Sequence, residues 1–300
     1  MESKNVLVLG GSGFIGSKVS ELSFKKYETS IVDLVKPKHN NFTTFLKADV
    51  SLDKTFEGLK ERFDIIFDFA SPSSMRLYDQ SPIKLPSHTA RGFLNVLEYS
   101  RKTNVSNLIF PSSCTVYGNT AGGIKKMIDP LNVYASLKYF YENMGKVYSK
   151  FFKTTALRIF MGYGPGEEGK KQIGSPIFLF LDDIINNRKP EIWGDGKQSR
   201  DVVYVDDIAE AAVKSIDQDS NWKVFDVGTG TSISFNDIIS IISEVVGKNV
   251  KPQYVIQKAL GYQNVTKADP SEFIGILGHD PVQAKTGIKL FFEHLTRHLK

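Results

Sequence analysis

The stretch Gly10-Gly-Ser-Gly-Phe-Ile-Gly16 constrains this chain most, because it directly follows the apolar run Asn5-Val-Leu-Val-Leu9. That run reads as a buried strand, and the residues from Phe14 to Tyr27 carry helical periodicity. Between them the chain must turn with almost no side chain. Gly11, Gly13 and Gly16 fit G-x-G-x-x-G, while Gly10, Gly13 and Gly16 fit the wider G-x-x-G-x-x-G. Glycines so placed permit a sharp turn, close approach of backbone N–H groups to a pyrophosphate, and tight packing of the helix on the strand. Gly10, Gly13 and the first helical residues, Phe14 and Ile15, are therefore candidate cofactor contacts.

The alternation that begins there continues. Short apolar or β-branched runs at Val6–Leu9, Ser30–Val32, Phe42–Leu46, Ile65–Phe69, Asn107–Phe110 and Thr154–Ile159 are separated by helical stretches, among them Phe14–Tyr27, Leu85–Thr103 and Tyr134–Phe152. Strand and helix repeated in this way predict an α/β fold, a Rossmann-type doubly wound parallel sheet covered on both faces. After Phe160 the rhythm weakens, glycine and proline crowd residues 162–176, and a helical stretch follows at Ile177–Asn187. The expected division is a cofactor domain over residues 1–160, to which the chain returns around 201–230, and a smaller C-terminal substrate-binding domain over 161–300.

Asp33 stands about 20 residues beyond Gly13, at the end of the second strand, where a carboxylate accepts hydrogen bonds from ribose hydroxyls and repels a 2′-phosphate. The expected cofactor is NAD rather than NADP. Asp49, after the third strand, reads equally as an adenine contact or as a loop cap; Val50 beside it and Ala70 after the fourth strand are further expected cofactor neighbours.

A second constellation is Tyr134-Ala-Ser-Leu-Lys138, preceded by Ser112-Ser113-Cys114-Thr115-Val116-Tyr117-Gly118. Residues four apart on a helix share a face, so an ammonium can stabilise a phenolate there. A tyrosine titrates near 10 in water, so one acting as a base at neutral pH needs such help, from Lys138 and from oxidised nicotinamide.

These motifs resemble those of the extended short-chain dehydrogenase/reductase family, in particular its nucleotide-sugar epimerases and dehydratases such as the UDP-glucose 4-epimerases. The resemblance covers nearly the whole chain. It includes Phe67-Asp-Phe-Ala-Ser71, Gly92-Phe-Leu-Asn-Val-Leu-Glu98, Leu157-Arg-Ile-Phe-Met-Gly-Tyr-Gly-Pro165 and Trp193-Gly-Asp-Gly-Lys-Gln-Ser-Arg-Asp-Val-Val-Tyr-Val-Asp-Asp207. It implies that Ser113 binds the reacting sugar oxygen, that Tyr134 is the base, that Lys138 also holds the nicotinamide ribose, and that Arg200 contacts the nucleotide diphosphate. Lys258 is the nearest candidate for a second phosphate contact. Met161 departs from a usual asparagine and Asp68 from a common histidine. The resemblance also implies a homodimer formed through the helices at 85–103 and 134–152.

The position of Thr115 bears on the reaction. Dehydratases of this kind carry Asp-Glu where Cys114 and Thr115 stand, since loss of water needs an acid and a base. The expected activity is NAD-dependent nucleotide-sugar 4-epimerisation through a transient 4-keto sugar; reduction, 4,6-dehydration or decarboxylation of the same substrates are alternatives. A non-catalytic NAD- or RNA-binding protein is the alternative of another class, against which the intact Ser113, Tyr134 and Lys138 argue. The net charge of +5 is mild and its lysines are scattered, which suits anionic small molecules as readily as nucleic acid, and no stretch reaches the roughly 18 apolar residues of a membrane span; neither a nucleic-acid nor a membrane partner is expected, and the five histidines and one cysteine lack metal-ligand spacing. The single Cys114 excludes an intramolecular disulfide and, with no secretory layout at the N-terminus, points to the cytoplasm.

Overall fold

The structure, a computed structural model, describes residues 4–123, 126–256 and 262–297. The apolar runs form strands because both faces of each are covered. β1 (Asn5–Leu9), β2 (Glu28–Asp33), β3 (Thr44–Lys47), β4 (Ile65–Asp68), β5 (Asn107–Ser113) and β6 (Lys153–Ile159) lie in one sheet, with β7 (Met161–Tyr163), β8 (Glu191–Trp193) and β9 (Ser199–Tyr204) elsewhere. The chain then re-enters with β10 (Trp222–Val227), giving a parallel seven-stranded sheet of order β10-β6-β5-β4-β1-β2-β3. Strand order reverses between β1 and β4. In such sheets the crevice beyond the carboxyl ends of the strands at the reversal is the binding place.

Helices α1 (Phe14–Phe24), α2 (Asp53–Glu57), α3 (Met75–Gln80), α4 (Lys84–Thr103) and α5 (Val133–Tyr148) connect the strands. Val6 and Val8 point into one core and Leu7 and Leu9 into the other, all four fully buried. This is why β1 reads as a continuous apolar run rather than an alternating one. On the second face Phe93 of α4 stacks on Tyr141 of α5, ring centroids 3.8 Å apart. The predicted helix over Phe14–Tyr27 ends at Phe24, where the Ser23 carbonyl accepts from the N–H groups of both Lys26 and Tyr27. α5 starts one residue early, because the Asn132 side chain caps it by accepting from the Ala135 N–H at 2.8 Å.

A third core belongs to the smaller lobe. It joins α6 (Pro176–Ile185), α8 (Phe235–Val246) and α10 (Ala284–Thr296) through Ile177, Leu181, Ile238, Ile242, Ile288 and Phe291. α7 (Val205–Lys214) packs on α1, and α9 (Ser271–Leu277) packs on α7. β11 (Ser232–Ser234) pairs antiparallel with β9, and β12 (Gln253–Val255) pairs with β8. Among the described residues no helix is long and apolar enough to cross a membrane.

Two glycines should respond oppositely to alanine. A Cβ on Gly16 would lie 2.1 Å from the Gly10 carbonyl oxygen, so Gly16→Ala should lower stability by about 1–3 kcal/mol. Gly275, exposed in α9 with nothing within 4 Å of its Cβ position, should gain about 0.5–1 kcal/mol as alanine. Urea unfolding of both variants beside the parent chain measures the two shifts.

Candidate active site

The glycine loop leaves β1 at the reversal point. Gly10 has φ +74°, and a Cβ there would sit 2.5 Å from the Phe69 carbonyl group. Its N–H donates to Val32 O at 2.8 Å and its carbonyl accepts from Gly13 N–H at 3.0 Å, closing the turn. α1 then starts at Phe14 with Gly13 as its N-cap; no side chain caps it and its first turn holds no acidic residue. The N–H groups that open a helix lack intrahelical partners. Gly13, Phe14 and Ile15 thus present the end of a helix dipole toward the crevice, in a cradle that fits a pyrophosphate.

Asp33, last in β2, accepts from Ser12 N–H at 2.9 Å and from Val35 N–H at 3.1 Å. Each carboxylate oxygen keeps acceptor capacity beyond the loop it closes, so the residue fits both a turn-forming and a ribose-binding part. Asp49 accepts from Ser51 N–H at 2.9 Å and lies 3.3 Å from His88 Nε2, as a loop cap would. The Val50 carbonyl accepts from the Asn95 side chain at 3.1 Å, which fixes this loop on α4.

Past β4, Ala70 N–H donates to the Asp68 carboxylate at 3.1 Å. Asp68 is buried, and burial pushes its carboxyl up to about 6 against the pull of that N–H and of the Lys138 charge. Lys138 is 1% exposed, and its Nζ donates to Ser71 Oγ at 3.0 Å and to Pro111 O at 3.1 Å. Burial brings this ammonium down to about 8, with Asp68 opposing. Lys138 Nζ stands 5.7 Å from the Tyr134 ring centroid and 4.8 Å from that of Tyr141.

Tyr134 is buried, with its ring 5.4 Å from Tyr78. Burial raises its phenol well above the usual value, Tyr78 and Cys114 add to the rise, and Ser113 pulls the other way. The net shift of the phenol is thus upward with burial as its largest cause, while the Lys138 ammonium is held by Ser71 and Pro111. Ser113 ends β5, and its Oγ accepts from Thr115 N–H at 3.2 Å and lies 3.0 Å from Thr115 Oγ1. Burial pushes the Cys114 thiol up to about 12, while the Arg200 charge pulls it down.

Arg200 belongs to β9. Arg200 Nη1 donates to Ser199 O at 2.8 Å and reaches Asn264 O at 3.4 Å, and its guanidinium lies 4.7 Å from the Tyr262 ring centroid. Trp193 packs against Tyr262 with centroids 6.0 Å apart, next to a cavity of about 250 Å³ lined by Trp193, Gln198, Asn264 and Val265. A larger cavity, about 310 Å³, opens among Asn104, Ser149 and Lys153 and contains none of the residues above. Lys258 lies outside the described residues. Among those described, no three His, Cys, Asp or Glu side chains converge as metal ligands would.

Sequence reasoning missed the part Ser71 and Asp68 take in seating Lys138, and missed Tyr262 altogether. Ser71 lay within a quoted motif and could have been found; Tyr262, an isolated aromatic in a loop, has no local signal. Lys170 Nζ, from the loop after β7, lies 3.9 Å from the Phe14 ring centroid.

Comparison with known proteins shows the family and the fold. A putative UDP-glucose 4-epimerase of Methanocaldococcus jannaschii is 31% identical over 81% of this chain and 82% of its own. Among solved structures, a UDP-N-acetylglucosamine 4-epimerase from Methanobrevibacter ruminantium, in complex with UDP-N-acetylmuramic acid, has a TM-score of 0.90 at 27% identity and covers 99% of this chain and 100% of its own. The Thermus thermophilus UDP-glucose 4-epimerase in complex with NAD has a TM-score of 0.86 at 25% identity, covering 97% and 98%. Residues 6–228 match the family described as the NAD dependent epimerase/dehydratase family, and this chain belongs to it.

Proposed function

We propose that this protein is a nucleotide-sugar 4-epimerase that keeps NAD bound through turnover. The observation that carries the choice of reaction is the state of the two residues after Ser113. Burial holds Cys114 as a neutral thiol, and Thr115 Oγ1 sits against the Ser113 hydroxyl. Neither offers a base for C5 or an acid for a departing hydroxyl near pH 7, so elimination lacks its machinery while oxidation and re-reduction at C4 need none of it. The relatives named for UDP sugars support a uridine diphosphate carrier.

In this reading residues 1–160 bind NAD and residues 161–300 the nucleotide sugar. Gly10, Gly13, Phe14 and Ile15 hold the pyrophosphate, Asp33 the adenosine ribose, and Asp49, Val50 and Ala70 line the adenine and nicotinamide sides. NAD held there would supply an acceptor and donor of hydride for the sugar C4. Ser113 orients the sugar 4-hydroxyl, and Tyr134 takes its proton and later gives it back. Burial raises the Tyr134 phenol and also strengthens the effect of any positive charge placed beside it, so a bound oxidised nicotinamide would help it to take a proton. Arg200 pairs with the diphosphate, for which a planar guanidinium fork is suited, and Lys258 is a second candidate for that contact. Turning the 4-keto sugar over within the pocket exposes its other face.

Two copies are proposed to pair through α4 and α5, near which Leu94, Val147 and Phe151 lie exposed. The one cysteine, buried and unpaired, accords with a reducing cytoplasm.

Tyr134→Phe should retain bound NAD and lose turnover by about a hundred- to ten-thousandfold, measured as nicotinamide content of the purified protein beside initial epimerisation rate. The Asp33 carboxylate should make NAD bind more tightly than NADP; calorimetric titration giving NADP equal or better affinity would remove Asp33 from the ribose site.

Deuterium placed at C4 of the substrate should remain at C4 in both epimers, and a reaction run in heavy water should put no deuterium at C5. Mass spectrometry and NMR of the separated epimers read both results. Solvent deuterium at C5 or a product lighter by one water would sink the epimerase reading.

A further inference from the structure

The loop that runs from Gly166 to Gly174, between β7 and α6 of the smaller lobe, crosses to the glycine loop of the large sheet. Gly166 has φ +102°, and a Cβ there would come within 3.5 Å of the Phe14 ring. Lys170 Nζ lies 3.9 Å from the centroid of that ring, closer than any other cation–ring approach among the described residues. On the opposite side, Arg76 Nη1 of α3 donates to Gln172 O at 3.4 Å. The loop thus touches both α1 and α3.

Lys170 is held there by design of its surroundings. Glu167 is fully buried, and its carboxylate accepts from Lys170 Nζ at 3.2 Å, from Ser175 N–H at 2.9 Å and from Ser175 Oγ at 2.6 Å. Ser175 in turn caps α6 by accepting from Phe178 N–H at 3.2 Å. The carboxylate is therefore shared among three donors, and it neutralises an ammonium whose side chain is only 23% exposed. An ammonium has three donors, and among the described residues Glu167 is the one hydrogen-bond acceptor that Lys170 finds. Burial lowers its proton affinity, with Glu167 opposing. Taking a charge out of water is costly unless it is paired, and Glu167 supplies that pairing. Beside it α1 begins, uncapped and without an acidic residue in its first turn. Both features, a helix N-terminus and an ammonium beside it, favour a negative group at that place.

We infer that Lys170 is a cofactor-binding residue supplied by the smaller lobe, whose ammonium pairs with the pyrophosphate of NAD and retains it during turnover. The site it completes is the glycine-loop cradle, and the inference rests on the NAD dependence of the family, not on the 4-epimerase reading. Phe14 serves as a platform that holds the ammonium above the helix start, through cation–ring attraction that gains strength when water is excluded. Retention matters for any reaction in which hydride leaves and returns within one turnover, because loss of the reduced cofactor midway would strand an oxidised sugar.

The test compares Lys170→Met and Lys170→Arg with the parent chain, all loaded with NAD. Release is followed by dilution into a scavenging NAD-consuming dehydrogenase, so no sugar substrate enters the measurement. Lys170→Met should release NAD about tenfold faster or more, the loss expected when a charge-assisted contact to phosphate is removed, and Lys170→Arg should stay within about threefold of the parent. Titration with ADP-ribose and with adenosine separates charge from packing: Lys170→Met should weaken ADP-ribose and leave adenosine unchanged. Equal weakening of both ligands, or NAD release as slow from Lys170→Met as from the parent, would overturn the inference. So would Lys170→Arg releasing NAD as fast as Lys170→Met. A parent chain that takes up no dinucleotide would overturn the cofactor assignment itself, a distinct failure visible before any variant is made.

Discussion

The close approach of Gly16 to Gly10 is the constraint on which the site depends. With 2.1 Å between a hypothetical Gly16 Cβ and the Gly10 carbonyl oxygen, any side chain would push α1 away from the end of β1. The helix would then no longer aim its opening N–H groups at the reversal between β1 and β4, and the loop would lose its bond from Gly13 to Gly10. Asp33 holds the same turn from the neighbouring strand through Ser12. Contacts from α1 and from the end of β2 thus hold one turn.

Beside the end of β5 lies a second determinant, a buried set of paired charges. Arg158 of β6 binds Glu142 of α5 through two bonds of 2.8 and 2.7 Å, and donates a third to Tyr117 Oη at 2.7 Å. Tyr117 donates to Asp226 of β10 at 2.6 Å, and Ser112 donates to Glu142 at 2.5 Å. The network joins β5, β6, β10 and α5 just below Ser113, Tyr134 and Lys138. A buried ion pair contributes little net stability when complete, but is costly to break, which suits it to holding geometry. Asp201, next to Arg200, plays a similar part. It is fully buried and accepts from Thr229 N–H, Thr229 Oγ1 and Gly230 N–H at 2.8 Å each and from Ala268 N–H at 3.0 Å, which ties β9 to two loops.

The large sheet was legible in the sequence to the extent that burial is written into local pattern. β1, β4, β5 and β6 are apolar because both faces are covered, and the turn between β1 and α1 could only be glycine. The smaller lobe was less legible: β8, β11 and β12 have three residues each, too few for a period of two to show. In the site, the Tyr134 and Lys138 pair was readable because one helical turn separates them. Their electrostatics were not. The sequence suggests that Lys138 lowers the Tyr134 phenol, whereas burial, which no local pattern reports, raises it.

By itself, then, the amino-acid order determined those features whose cause is local: the strand–glycine–helix unit, the carboxylate at the end of β2, the shared face of Tyr134 and Lys138, and the missing acidic pair at Cys114 and Thr115. Only the tertiary structure decided which distant residues meet. It seats Arg200 on Tyr262, Lys138 on Ser71 and Lys170 on Phe14. Periodicity records whether a side chain is buried, since that depends on its own element. Which side chain lies opposite depends on how elements far apart in the chain pack together, and no spacing within the sequence carries that distance.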